Sequence, residues 1–281
     1  DTSTDNCTFD YSGQLGTFTM ASGYTGTVTQ AATMYVAGVN KQDGQLYLSN
    51  SYHLYCSGDF IETGGYHESF GIVHMISDNT TIGLYHPNAF DRLYVDANIN
   101  CNKISLNKLT ISENKTLTIN DTVGLYYSGS PQFLYNYGEI NGNGKLEIYL
   151  RYTTNTISLT NINVDVSFIG YSGFKSNSSI KLISSGNIKN LIIRSNHSTY
   201  AATLDLNGYD LECDSLTIGN RGILKNTSTS TSSLTADSIT VSGTSSLFDT
   251  TNIDFDKSKV VGQTLTWSAE SAGNASDASN W

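Results

Sequence analysis

The chain is predicted to be all-β: a parallel β-helix, or solenoid, preceded by an irregular or antiparallel β cap. Three observations point there. The first is a recurring apolar spacing: Ile104/Leu109/Leu117, Leu211/Leu216/Leu224 and Leu234/Ile239/Leu247 each step by five residues and then by eight, and the last two sets are adjacent copies 23 residues apart. A fixed period of 20 to 50 residues is the mark of a solenoid or array. The second is two-residue alternation within each copy, as in Leu216-Thr217-Ile218 and Ile239-Thr240-Val241, which sends both apolar side chains to one face of a strand. The third is composition. Charged residues make up 14%, there are 2 Pro and 25 Gly, and Ser, Thr and Asn are abundant, which leaves little of what helices are built from.

Residues 1–92 are set apart by Tyr and His, with short alternating runs such as Gln45-Leu46-Tyr47-Leu48 between Gly and Asp-Gly turns. They are read as the Tyr-rich β cap. Coils are expected over 93–261. Ile99-Asn100 and Leu206-Asn207 stand at the same offset from the 104 and 211 sets, and an Asn repeated at a turn is consistent with a stacked amide ladder or with a corner that needs positive φ. Gly138 to Ile148, Ile157-Ser158-Leu159, Ile162-Asn163-Val164 and Leu191-Ile192-Ile193 continue the pattern, and Leu191 precedes Leu216 by one coil length. Seven or eight coils fit there, a rod of about 35 to 40 Å. Residues 262–281 break the repeat and form a tail with one apolar strand, Leu265-Thr266-Trp267, and a last aromatic, Trp281.

The net charge of -10, with only Arg92, Arg151, Arg194 and Arg221 as arginines, argues against nucleic acid as a partner. No apolar run is long enough for a membrane span. Asp1 to Asp5 reads as a mature N-terminus left by signal cleavage, so an extracellular, cell-surface location is expected. Cys7, Cys56, Cys101 and Cys213 show no Cys-x-x-Cys spacing, and in an exported chain one or two disulfides are expected, Cys7 with Cys56 first; four buried free thiols are the alternative. Asn-x-Ser/Thr sequons occur at Asn6, Asn79, Asn114, Asn120, Asn177, Asn196, Asn226 and Asn274, a number that chance gives in so Asn- and Thr-rich a chain.

Thr203 to Leu211, followed by Ser215-Leu216-Thr217-Ile218-Gly219-Asn220, resembles the β-helix repeats of exported microbial surface proteins, among them adhesins, autotransporter passengers and archaeal envelope proteins. Asp277-Ala278-Ser279-Asn280-Trp281 is similar to segments of the same families. The resemblance covers about 60% of the chain, and together with the acidic, Lys-poor composition it implies an archaeal sheath or surface-layer protein. β-helices also carry glycan lyases and hydrolases. Those chemistries need converging carboxylates with a basic partner. Asp254 with Asp256, and Asp210 with Asp214, are the nearest approach, and none has an Arg beside it, so no enzyme is expected. His53, His67, His74 and His86 match no ligand spacing, and neither a metal nor a cofactor is assigned. The expected function is a structural envelope protein whose partner is itself, with Leu265, Trp267 and Trp281 as assembly contacts. The alternative is an adhesin or tail-spike-like rod that offers its Tyr-rich region to a glycan.

Overall fold

Ile104, Val123, Leu146, Val166, Leu191, Leu216 and Ile239 lie directly above one another in successive parallel strands, each at most 1% exposed. Two residues further on, Leu106, Leu125, Ile148, Phe168, Ile193, Ile218 and Val241 form a second buried column. These columns are the interior wall of a β-solenoid of about 11 turns, seen in a computed structural model that describes residues 5–67, 71–84, 90–126, 133–150, 155–171, 173 and 176–261. Every strand pairing among the described residues is parallel. At one strand spacing per turn the rod is roughly 50 Å long.

Each coil has three sides, and the chain changes how it joins them. Near the N-terminus the third and first sides share one strand, as in Met34–Lys41, while the second stands apart in Thr27–Gln30 and Gln45–Tyr47. Towards the C-terminus the first and second sides share strands such as Leu211–Ile218 and Ser232–Val241, and the third forms a separate sheet through Ala202–Asp205 and Gly222–Lys225. The strand Ile99–Ile111 runs through all three, which makes the rod continuous.

The expected cap is therefore a set of coils. From Cys7 onward the strands pair in parallel, and Val36, Cys56, Met75, Val95 and Ile111 form an inward column. The strand Phe90–Val95 joins Ile72–Met75 to Ile99–Ile111, so the ladder crosses residue 93 without a break. Tyr35, Tyr47, Tyr55 and His74 lie on the outside of the same coils, whereas Tyr24 is buried in the core.

The spacing of five and eight was also out of phase by one side. Ile104, not Leu109, occupies the column of Leu216, and Leu109 stacks instead with Leu93 and Leu134. Three sides that all begin with an alternating apolar pair satisfy the same spacing from any starting side. Leu247 departs as well: it is 42% exposed, and Phe248 takes the interior place above Leu224. One extra residue at the corner turning on Gly243 (φ 94) and Ser245 (φ 58) shifts the register there.

Of the two readings of the corner asparagines, the backbone one holds for Asn207. It adopts φ 53, and its Nδ2 donates to the Leu182 carbonyl of the preceding coil at 3.1 Å. Asn161 and Asn252 do the same toward the Gly138 and Ser228 carbonyls. Asn100 is instead a strand residue opposite Thr118.

The expected disulfides are absent: Cys7, Cys56, Cys101 and Cys213 are free thiols. Cys56 fills a rung between Val36 and Met75, Cys101 between Ile82 and Ile119, and Cys213 between Ile188 and Ala236, whereas Cys7 is exposed on a separate sheet beside Val28. Inward rungs hold each sulfur against apolar neighbours, and burial pushes the Cys101 thiol far up and that of Cys213 to about 12. A maleimide should thus label Cys7 alone in the native protein and all four thiols in denaturant, with reductant leaving the unfolding curve unchanged. Loss of stability on reduction would restore the bridge.

Candidate functional site

The outward residues of the N-terminal coils form a column of rings. Tyr35, Tyr55, His74 and Tyr94 occupy successive rungs, followed by Thr110 and Tyr135. Tyr35 and Tyr55 stack with centroids 4.7 Å apart, Tyr55 and His74 at 4.5 Å, and His74 and Tyr94 at 4.3 Å. Strand spacing imposes this distance, and aromatic side chains suit it. At the far end Lys108 Nζ lies 4.3 Å from the centroid of the Tyr135 ring. Because the rings face one another, their π surfaces are spent within the column.

Beside it runs a hydrogen-bonded chain. His53 Nδ1 is 2.8 Å from His74 Nε2, His74 Nδ1 is 2.8 Å from Asp96 Oδ2, and Ser112 Oγ donates to Asp96 Oδ1 at 2.6 Å. Both histidine contacts are satisfied when His74 carries its proton on Nδ1 and His53 donates to Nε2. Burial lowers the pKa of His74 below its ordinary 6.5, outweighing the opposing pull of Asp96. The unfolded chain therefore takes up the proton first as pH falls. The contribution of His74 should be complete above about pH 6.5 and decline as pH drops from there toward its depressed folded value. Denaturant titrations between pH 7.5 and 5 check this: His74→Tyr, which keeps a ring in the column, should flatten the decline, and parallel curves for the two proteins would assign the dependence elsewhere.

A second outward cluster lies on the second side. Tyr126 and Tyr149 stack at 4.2 Å, Tyr149 donates to Glu147 Oε2 at 2.7 Å, and Lys145 Nζ is 2.8 Å from Glu147 Oε1. Burial draws the Glu147 carboxyl up, but Lys145 and Tyr149 together hold it below the usual carboxylate range. Burial and the bond to Glu147 push the Tyr149 hydroxyl well up.

Among the described residues, three charged side chains sit inside the corners. Lys41 is fully buried, donates to the Gly64 carbonyl at 2.6 Å, and stands in register with buried Glu62 on the next coil. Asp205, 1% exposed, accepts from the Asn207 and Thr227 amides at 3.0 Å and from Thr227 Oγ1 at 2.6 Å, with Lys181 Nζ at 3.6 Å. Burial alone would raise this carboxyl, yet those donors keep it below its ordinary value. It clips two coils together.

Where the first and third sides meet, the surface is concave. The sheet lapses there to a single bridge, Ile140 to Ile162, and a cavity of about 770 Å³ opens over it, adjoining a second of about 500 Å³. Tyr137, 60% exposed, stands at its edge.

The residues singled out from sequence fall as follows. Asp210 accepts from the Ser233 amide at 2.7 Å, and Asp256 caps the short turn Lys257–Lys259 through Ser258. Among the described residues no three His, Cys, Asp or Glu side chains group as a metal site, and no helix is long and apolar enough to cross a membrane. Asn6, Asn79, Asn114, Asn120, Asn177 and Asn196 are exposed. Asn226 is 5% exposed, with its amide donating to Ser230 and Asn252 and accepting from Gly208 and Ser228, so the folded corner has no room for a glycan on it. His86, Leu265, Trp267, Asn274 and Trp281 lie outside the described residues. Sequence reasoning missed the His53–His74–Asp96 chain, although Tyr35, Tyr55, His74 and Tyr94 recur at steps of 20, 19 and 20 residues that signal one column.

No protein-family model matches the chain, nor does any curated protein or solved structure.

Proposed function

We propose that the chain is a structural protein of the cell exterior that assembles with copies of itself into a surface layer, sheath or filament, as in an archaeal envelope. The observation that carries this reading is the state of the two end coils. Among the described residues, Cys7–Phe9 and Gln14–Met20 pair along one edge only, as do Leu247–Phe248, Ile253–Phe255 and Val260–Val261 at the other end. The apolar residues that pack on the core yet stay partly exposed are found at these same ends: Phe9, Leu15 and Phe18 at one, Phe255 and Val260 at the other. An open parallel edge accepts another strand of the same polarity, and a head-to-tail contact of this kind propagates without closing. The tail bearing Leu265, Trp267 and Trp281 supplies a candidate strand and aromatic anchors.

Electron microscopy and light scattering of the purified chain at high concentration test the proposal. Regular filaments or lattices are expected, lost on deletion of residues 262–281 while the circular dichroism of the coils persists. A full chain that stays dispersed removes the reading, and assembly that survives the deletion removes the tail from its mechanism. The glycan-binding alternative draws on the Tyr-rich N-terminal region, but Tyr35, Tyr55 and Tyr94 stack on one another or on His74, which disfavours sugar stacking on that column.

A further inference from the structure

The geometry points to a binding groove for an extended, uncharged glycan along the junction of the first and third sides, between the coils of Asn114 and Thr235. It is separate from the stacked rings of the N-terminal coils and does not depend on self-assembly. The groove has a physical origin in the coil containing residues 155–164. Ile162 and Val164 point inward and are fully buried, but on the first side this coil makes only the bridge from Ile162 to Ile140, with no strand of its own. The surface is recessed there, and the cavities of about 770 and 500 Å³ share Asn161 and Asn187, so they form one continuous trough. The trough passes from the Asn114 corner by way of Tyr137, Asn161 and Asn187 to Glu212 and Thr235, crossing six successive coils. That is about 24 Å along the rod at one strand spacing per step. A site so long and so open suits a chain-like ligand and not a compact one.

Its lining selects the chemistry. Side-chain amides and hydroxyls dominate, and these donate to and accept from vicinal hydroxyl groups. In the register of the sheet, Asn187, Glu212 and Thr235 are consecutive outward rungs, so one polar group meets the ligand per coil. Glu139, Asp210 and Glu212 outweigh Lys115, which leaves the trough net negative and disfavours anionic polymers. Apolar residues of the lining, Ile162 and Leu211, are buried beneath it and offer no pocket for the side chains of a bound peptide. The exposed ring is Tyr137, 60% accessible at one end, placed to stack on the C–H face of a sugar.

Calorimetric titration of the full chain with the hexasaccharides of glucose, mannose and N-acetylglucosamine, with hexagalacturonate as the charged counterpart, tests this. At least one neutral hexamer should bind, and hexagalacturonate should bind at least tenfold more weakly. Tyr137→Ala and the pair Asn163→Ala with Asn187→Ala, two amides of the lining, should each weaken binding about tenfold, with an unchanged circular dichroism spectrum. Tyr35→Ala, on the N-terminal column, should leave affinity as it is. No heat with any neutral hexamer, equal or tighter binding of hexagalacturonate, or full affinity in the Tyr137 and Asn163/Asn187 variants would each overturn the assignment.

Discussion

Leu216→Asp should unfold the C-terminal coils while leaving those before them intact. Leu216 is fully buried between Leu191 and Ile239, in a column without a polar rung from Ile104 to Ile239. Removing the side chain forfeits about 1.5 to 3 kcal/mol of apolar burial. The introduced carboxylate adds a desolvation penalty of several kcal/mol, with no donor in the column to offset it. Together these approach the whole stability of a typical domain. In a solenoid each coil contacts only its neighbours, so damage is confined to the coils around the substitution unless the rest are marginal. Limited proteolysis should cut within about 205–245 and spare the coils before residue 150. Thr217→Asp is the control: its side chain points outward on the same strand and should change stability by no more than about 0.5 kcal/mol. If the two substitutions behave alike, the inward assignment of Leu216 is wrong.

That column shows what could be read from sequence. Strict alternation, as in Leu216-Thr217-Ile218, exposes a face directly, since one residue of slip inverts every side chain. Leu216, Ile218, Ile239 and Val241 accordingly fall where alternation puts them. What alternation does not carry is which side of a three-sided coil a strand belongs to: Ile104 corresponds by spacing to Leu211 yet stacks in the column of Leu216. Corners are harder still. One residue more between Val241 and Phe248 than between Ile218 and Leu224 moves Leu247 to the surface, and nothing in the local pattern announces it. In the N-terminal coils the interior is built from Met, Cys and Phe as well as Val and Leu, for example Met34, Cys56 and Phe60, and an apolar template tuned to Leu and Ile passes over them. The outward Tyr residues then dominate the composition. The candidate groove was illegible for a related reason. Ile162-Asn163-Val164 alternates as a strand should, and its side chains do point inward, but the backbone around it makes only one bridge.

Lys41→Met should destabilise the N-terminal coils by about 3 to 5 kcal/mol, although methionine is a close match in shape. The ammonium of Lys41 is buried in a corner, donates to the Gly64 carbonyl, and lies beside Glu62 one rung away. Burial lowers the Lys41 pKa, while Glu62 and then Asp43 pull it back up, so the two charges hold each other in place. Removing one member of such a pair leaves the other as an uncompensated buried charge, and that penalty exceeds any gain from the apolar side chain. The cost should be conditional on Glu62. The double variant Lys41→Met with Glu62→Leu removes both charges and should recover most of the loss, since a buried pair replaced by apolar groups of similar volume is often neutral or better. Denaturant unfolding of the four proteins of this cycle, followed by hydrogen exchange in residues 34–62, measures the coupling. A Lys41→Met protein within about 1 kcal/mol of the parent would show that the pair does not hold the corner. A double variant no more stable than Lys41→Met would place the loss in the bond to Gly64 and in packing, and not in the charge left on Glu62.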